Sequence, residues 1–104
     1  MFVIDSKKDR LIRQAIHDKR IIRFLYTGKI RVVEPHDYGV QGGKVQLLSY
    51  QIAGKTSSSK LPAWRRFDLN LMSEISLQND HFKGSRGADF TQHYDWDELY
   101  ARVA

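Results

Sequence analysis

The chain has no cysteine among its 104 residues. That absence excludes disulfides, thiolate zinc centres and cysteine nucleophiles together. Only two prolines, Pro35 and Pro62, interrupt it, so most of its length is open to regular hydrogen-bonded structure. Long apolar runs are missing as well. No stretch approaches the roughly 18 residues of a spanning segment, which argues against membrane insertion. The opening Met1-Phe2-Val3-Ile4-Asp5 lacks the basic region and long apolar run of an export signal, and a cytoplasmic location is expected. At this length the chain should form one domain, residues 1–104, around a single modest core.

Charge is plentiful and unevenly placed. The net charge is +5, with 17 Lys and Arg against 12 Asp and Glu. Residues 1–34 hold nine cations and four acids, whereas residues 78–104 hold three and five. Such asymmetry suits a polyanion-facing surface or docking of the tail within or between chains. It also suits an ordinary solvated surface, which the small excess favours.

Ser6-Lys7-Lys8-Asp9 has the Ser-x-x-Asp form of a helix start. Leu11, Ile12, Ala15 and Ile16 follow as one apolar stripe at helical spacing, and the helix, over 5–20, should end near Lys19-Arg20. The period then changes to two. Ile22, Phe24 and Tyr26 share a strand face, with Arg23 on the other. After the Thr27-Gly28-Lys29 turn, Ile30–Val33 predicts a second strand, ended by Pro35 because proline cannot donate to a ladder. His36–Gly43 reads as a loop or bulged continuation, Lys44–Ile52 as a third strand, and Gly54–Lys60 as a polar hairpin tip. Trp64–Leu69 and Glu74–Leu77 complete five strands over 21–77. Residues 78–93 look irregular, within a tail 78–104. Asp95 is then expected to cap a short C-terminal helix whose stripe is Trp96, Leu99, Tyr100 and Val103.

The expected class is therefore mainly β with α. An N-terminal helix precedes a five-stranded, Sm-like or SH3-type small barrel and plugs one open end. A five-stranded oligonucleotide-binding barrel is the competitor, but its helix lies between strands three and four, where none fits.

Reaction chemistry is poorly supported. Gly54-Lys55-Thr56 imitates the end of a phosphate loop, but Ser49 stands where the earlier glycine is needed, and the setting is strand to strand. His17, His36, His81 and His93 fall on separate elements, without metal-ligand spacing. His93, Asp95, Asp97 and Glu98 could be drawn as a metal cluster, yet a capped acidic helix start explains the carboxylates with less. No nucleophile set or acid–base pair emerges. A non-enzyme without metal or cofactor is expected.

Arginines near aromatics carry more. Arg65 shares strand parity with Phe67 and Leu69, which places a charge on the core-facing side. Either Glu34 or Asp68 pairs with it, or it awaits an anionic ligand. Arg31, near the Tyr26 hairpin, poses the same choice. Tyr26, Tyr38, Tyr50 and Trp64 could stack bases, although aromatics at strand spacing more often fill a core. Lys7, Lys8, Arg13, Lys19, Arg20 and Arg23 offer a separate basic surface for RNA or single-stranded DNA.

The helix Leu11–Ile16, the Phe24-Leu25-Tyr26 strand end, Arg31 four residues before Pro35, the Gly42-Gly43-Lys44 turn and Arg65-x-Phe67-x-Leu69 together resemble the WYL domain family over about residues 10–77. The resemblance implies a small bacterial regulatory domain with an Sm-like barrel. Its cleft would bind a nucleotide-like or nucleic-acid ligand and report to a transcription regulator. It places ligand positions at Tyr26, Arg31, Leu47 and Arg65. The chain diverges where the Trp-Tyr-Leu signature reads Val45-Gln46-Leu47, and where a second family arginine would fall at Leu71. A non-enzymatic, ligand-sensing module for an anionic ligand is the expected function. A protein-interaction or assembly module, with a regulatory partner or as a homo-oligomer, is the alternative.

Overall fold

The apolar stripe and its caps dictate the first element, α1 (Ser6–Asp18), which buries Ile12, Ala15 and Ile16. Its cap is Asp5 rather than Ser6: the Asp5 carboxylate accepts from the backbone amides of Lys7 and Lys8. A carboxylate one residue earlier reaches the same free donors and adds favourable charge at the dipole's positive end. Lys19 ends the helix with φ 55°, and its amide turns back to Ala15 and Ile16, as a left-handed cap does. The computed structural model describes residues 5–54, 60–86 and 96–104.

Six strands follow among the described residues: β1 (Arg20–Tyr26), β2 (Lys29–Gln41), β3 (Lys44–Gly54), β4 (Ala63–Asp68), β5 (Met72–His81) and β6 (Glu98–Arg102). All pairings are antiparallel, in the order β4-β3-β2-β1-β5, with β6 added to β2. The expected class, mainly β with α, holds, with α1 as the one α-helix among the described residues. The closed barrel does not appear, because no β4–β5 pairing exists among the described residues and the sheet is open.

Its ends nevertheless approach each other. Only the 3-10 turn Leu69–Leu71 joins β4 to β5, a reach of at most about 14 Å. A flat path of four strand spacings would need about 19 Å. The sheet therefore curls, and β4 meets β1 across the interior. Phe67 lies edge-on to Phe24 and to Tyr26, both at 4.9 Å, and the Asp68 amide donates to the Tyr26 hydroxyl. Ile22, Val33, Leu47 and Met72, with the buried helix residues, complete the core. No helix among the described residues is long and apolar enough to cross a membrane.

Two sequence expectations give way here. Pro35 does not end the second strand, which runs on to Gln41. The proline stands at a register shift, between Pro35 and Asp37, where the β2 edge passes from β1 to β6; a missing donor is tolerated at such a bulge. Gly42 and Gly43, with φ 60° and 78°, form the two-residue hairpin turn into β3.

The second correction is the C-terminal helix, whose place is taken by β6. Beyond Val33 the β2 edge has no β1 partner, and its exposed ladder groups require one. Residues 98–102 supply it, and Val103 donates its amide to the His36 carbonyl. Gly39 makes this possible: a side chain there would run into the Glu98 carbonyl. The hairpin tip 55–59 and the segment 87–95, with the expected Asp95 cap and His93, lie outside the described residues.

Candidate functional site

Register decides which charges meet. Arg31 pairs with Phe24 and Val33 with Ile22, so both face the interior with the core phenylalanine. On β3, Leu47, Ser49 and Gln51 share that inner face, opposite Phe67, Arg65 and Ala63 of β4. The interior is thus apolar at one end and polar at the other, where Arg31, Ser49, Gln51 and Arg65 gather.

Arg31 is the centre of this polar end. It is 5% exposed, yet among the described residues no carboxylate lies within ion-pair distance. Its hydrogen bonds go to neutral oxygens, Gln51 Oε1 and Thr27 Oγ1, both at 3.4 Å. Both are long for such bonds. Its Nε is buried without a partner. The guanidinium stands over the rings of Tyr26 and Phe67, 5.7 and 5.8 Å from their centroids. Burial, and then the like charge of Arg65, lower its pKa from the usual arginine value. Because Thr27 is exposed, the guanidinium tip points to the rim of the hairpin turn.

The four ligand positions implied by the resemblance are only partly assembled. Arg31 and Arg65 share one face, and the Tyr26 ring supports Arg31. Tyr26 is also held by its hydroxyl and by two ring contacts, which makes it a structural wall. Leu47 is fully buried between Tyr38 and Phe67 and is a core residue. Both carboxylates proposed for Arg65 have partners on other elements. Glu34 is engaged by Arg86, and Asp68 by Gln46 and Lys44.

The basic surface is dispersed. Arg13 pairs with Asp9 and lies over the Tyr100 ring. Arg20 donates to the carbonyls of Gln78 and Leu77, and Lys8 to that of Leu69. Lys19 is the helix cap. Lys7 and Arg23 stay exposed, but Glu74 borders the shallow clefts beside both. Of the stacking candidates, Tyr38 is fully buried and donates to Asp9 at 2.7 Å; burial and that bond push its phenol pKa up. Tyr50 and Trp64 lean on each other at 5.1 Å.

Sequence reasoning missed the outer face of β2. Glu34 is 5% exposed and takes a two-pronged ion pair from Arg86, at 2.6 and 2.9 Å. Asp37, at 0% exposure, takes the same from Arg102, at 2.9 and 3.0 Å, with Trp96 Nε1 at 3.1 Å. These bonds raise the pKa of each arginine. Between them lies His36, fully buried. The signal was an acid–Pro–His–acid run beside an apolar strand, read there as a loop. A cleft of about 480 Å³ beside this cluster is bordered by Glu34, His81, Phe82, Lys83 and Arg86. Among the described residues no group of three or more potential ligands could hold a metal ion. No family model, curated protein or solved structure matches the chain.

Proposed function

We propose that the chain is a small non-enzymatic binding module that takes an anionic group at Arg31, with Arg65 beside it. The buried Arg31 guanidinium carries the proposal: it has only long bonds to neutral oxygens and no carboxylate among the described residues. A buried cation costs free energy unless paired, and a planar guanidinium fits phosphate or carboxylate oxygens in a forked arrangement. Phosphate oxygens of a nucleotide or a short single strand meet that need by replacing Thr27 and Gln51 as acceptors. The WYL resemblance supports the same ligand class and a regulatory role.

The test is fluorescence anisotropy with labelled nucleotides and short RNA and DNA strands, at low and near-physiological salt. Wild type is expected to retain binding at the higher salt and Arg31→Met to lose it. Unchanged binding in a folded Arg31→Met/Arg65→Gln variant, or no binding by wild type, would overturn the reading. A second reading, an assembly module, is favoured by the outer edges of β4 and β5, which have no strand partner among the described residues, with Leu71 54% exposed between them. Its signature is a concentration-dependent mass in sedimentation, lost in Leu71→Lys.

A further inference from the structure

The His36 ring is a hub between two distant parts of the chain. Its Nδ1 lies 2.9 Å from the Glu34 carbonyl, and its Nε2 lies 3.3 Å from the backbone nitrogen of Arg86. A carbonyl only accepts and an amide only donates, so Nδ1 carries the proton and Nε2 is a bare acceptor. The ring is edge-on to Trp64 at 4.7 Å and stacked on Phe82 at 5.5 Å. Its backbone carbonyl meanwhile accepts from Val103, and Ser85 donates to the Ala104 carbonyl. One residue thus fastens both the 82–86 segment and the last residues to the sheet.

We propose that His36 is a pH-sensitive latch: its protonation releases the Ser85–Arg86 segment from β2 and opens the cleft over Glu34. Adding a proton at Nε2 sets one donor against the Arg86 amide, turning the bond into a repulsion. The fully buried ring has no water to turn to. The charges that act on the ring are Glu34 and Asp37 on β2 and Arg86 on the released segment; Arg102 on β6 pairs with Asp37, and His81 on β5 and Lys83 border the adjoining cleft. Glu34 and Asp37 favour the imidazolium, but Arg86 and Arg102 occupy both carboxylates.

Burial, the largest influence, lowers the His36 pKa from its ordinary 6.5. The closed form therefore prefers the neutral ring, while the open form takes up a proton near 6.5. Closure is complete above that value and is lost as pH falls below it, by up to about tenfold per pH unit until the closed form also protonates.

The experiment is nuclear magnetic resonance from pH 7.5 to 5, following the His36 ring and the exchange protection of backbone amides. The Arg86 and Ser85 amides are expected to lose protection about tenfold or more as His36 titrates, while paired amides of β1 hold theirs. His36→Gln, which can still donate and accept but cannot titrate, is expected to abolish the change. His81→Gln is expected to keep it. Arg86 protection unmoved while His36 titrates in wild type, a His36 ring that stays neutral to pH 5, or a transition that survives His36→Gln would each overturn the latch.

Discussion

The two faces of β2 treat buried charge in opposite ways. On the outer face Glu34 and Asp37 each meet a forked arginine, so charge, geometry and hydrogen-bond capacity are matched within the chain. On the inner face Arg31 has comparable burial, neutral partners at 3.4 Å and a second arginine as its electrostatic neighbour. The pKa directions follow: the paired arginines are raised and Arg31 is lowered. Ion pairs on the outer face hold the C-terminal segments onto the sheet. On the inner face the Arg31 cation has no carboxylate among the described residues, so its burial is not offset by an ion pair there.

Asp37 is the most sensitive position on the outer face. Asp37→Ala should lower stability by about 3 kcal/mol in urea denaturation, the low end for a broken buried pair because Arg102 retains partial solvent access. A loss under about 1 kcal/mol would mean that the outer pairs are not structural. Gly39→Ala comes next, at about 2 kcal/mol, because the new methyl group would run into the Glu98 carbonyl and push β6 away from β2. Faster amide exchange confined at first to residues 98–102 would identify the cause.

Arg31→Met sharpens the contrast by reversing sign. Removing an uncompensated buried charge while keeping apolar bulk should raise stability by about 1 kcal/mol. It should also erase any thermal stabilisation of the protein by phosphate-bearing ligands. Destabilisation by a similar amount would show that Arg31 is already satisfied. The smallest effect belongs to Arg23→Gln, expected within about 0.5 kcal/mol in stability and neutral toward oligonucleotides. A marked drop in salt-sensitive affinity would restore the basic-surface reading.

How much was legible in the sequence varies along β2 itself. Up to Val33, alternation placed side chains well, because β1 and β2 keep one register over Ile22–Tyr26. After the shift at Pro35 the parity inverts: Arg31 and Val33 face inward, and so do Tyr38 and Val40. A one-residue slip turns every later side chain over, and no local pattern announces it. The tail shows the same limit. Trp96, Leu99, Tyr100 and Val103 have helical spacing, but the segment forms a strand because β2 offers an unpaired edge.

The sequence by itself determined α1 through its apolar stripe, the strand core through alternation, and the exclusion of thiol chemistry through composition. These are local properties, set by neighbours within a few residues. Only the tertiary structure decided that Arg31 lacks a carboxylate among the described residues, that Glu34 belongs to Arg86, and that His36 holds the tail. Those partners stand 50 or more residues apart along the chain, or fail to meet at all. Charge compensation depends on which strands become neighbours, and that is settled by register and curl.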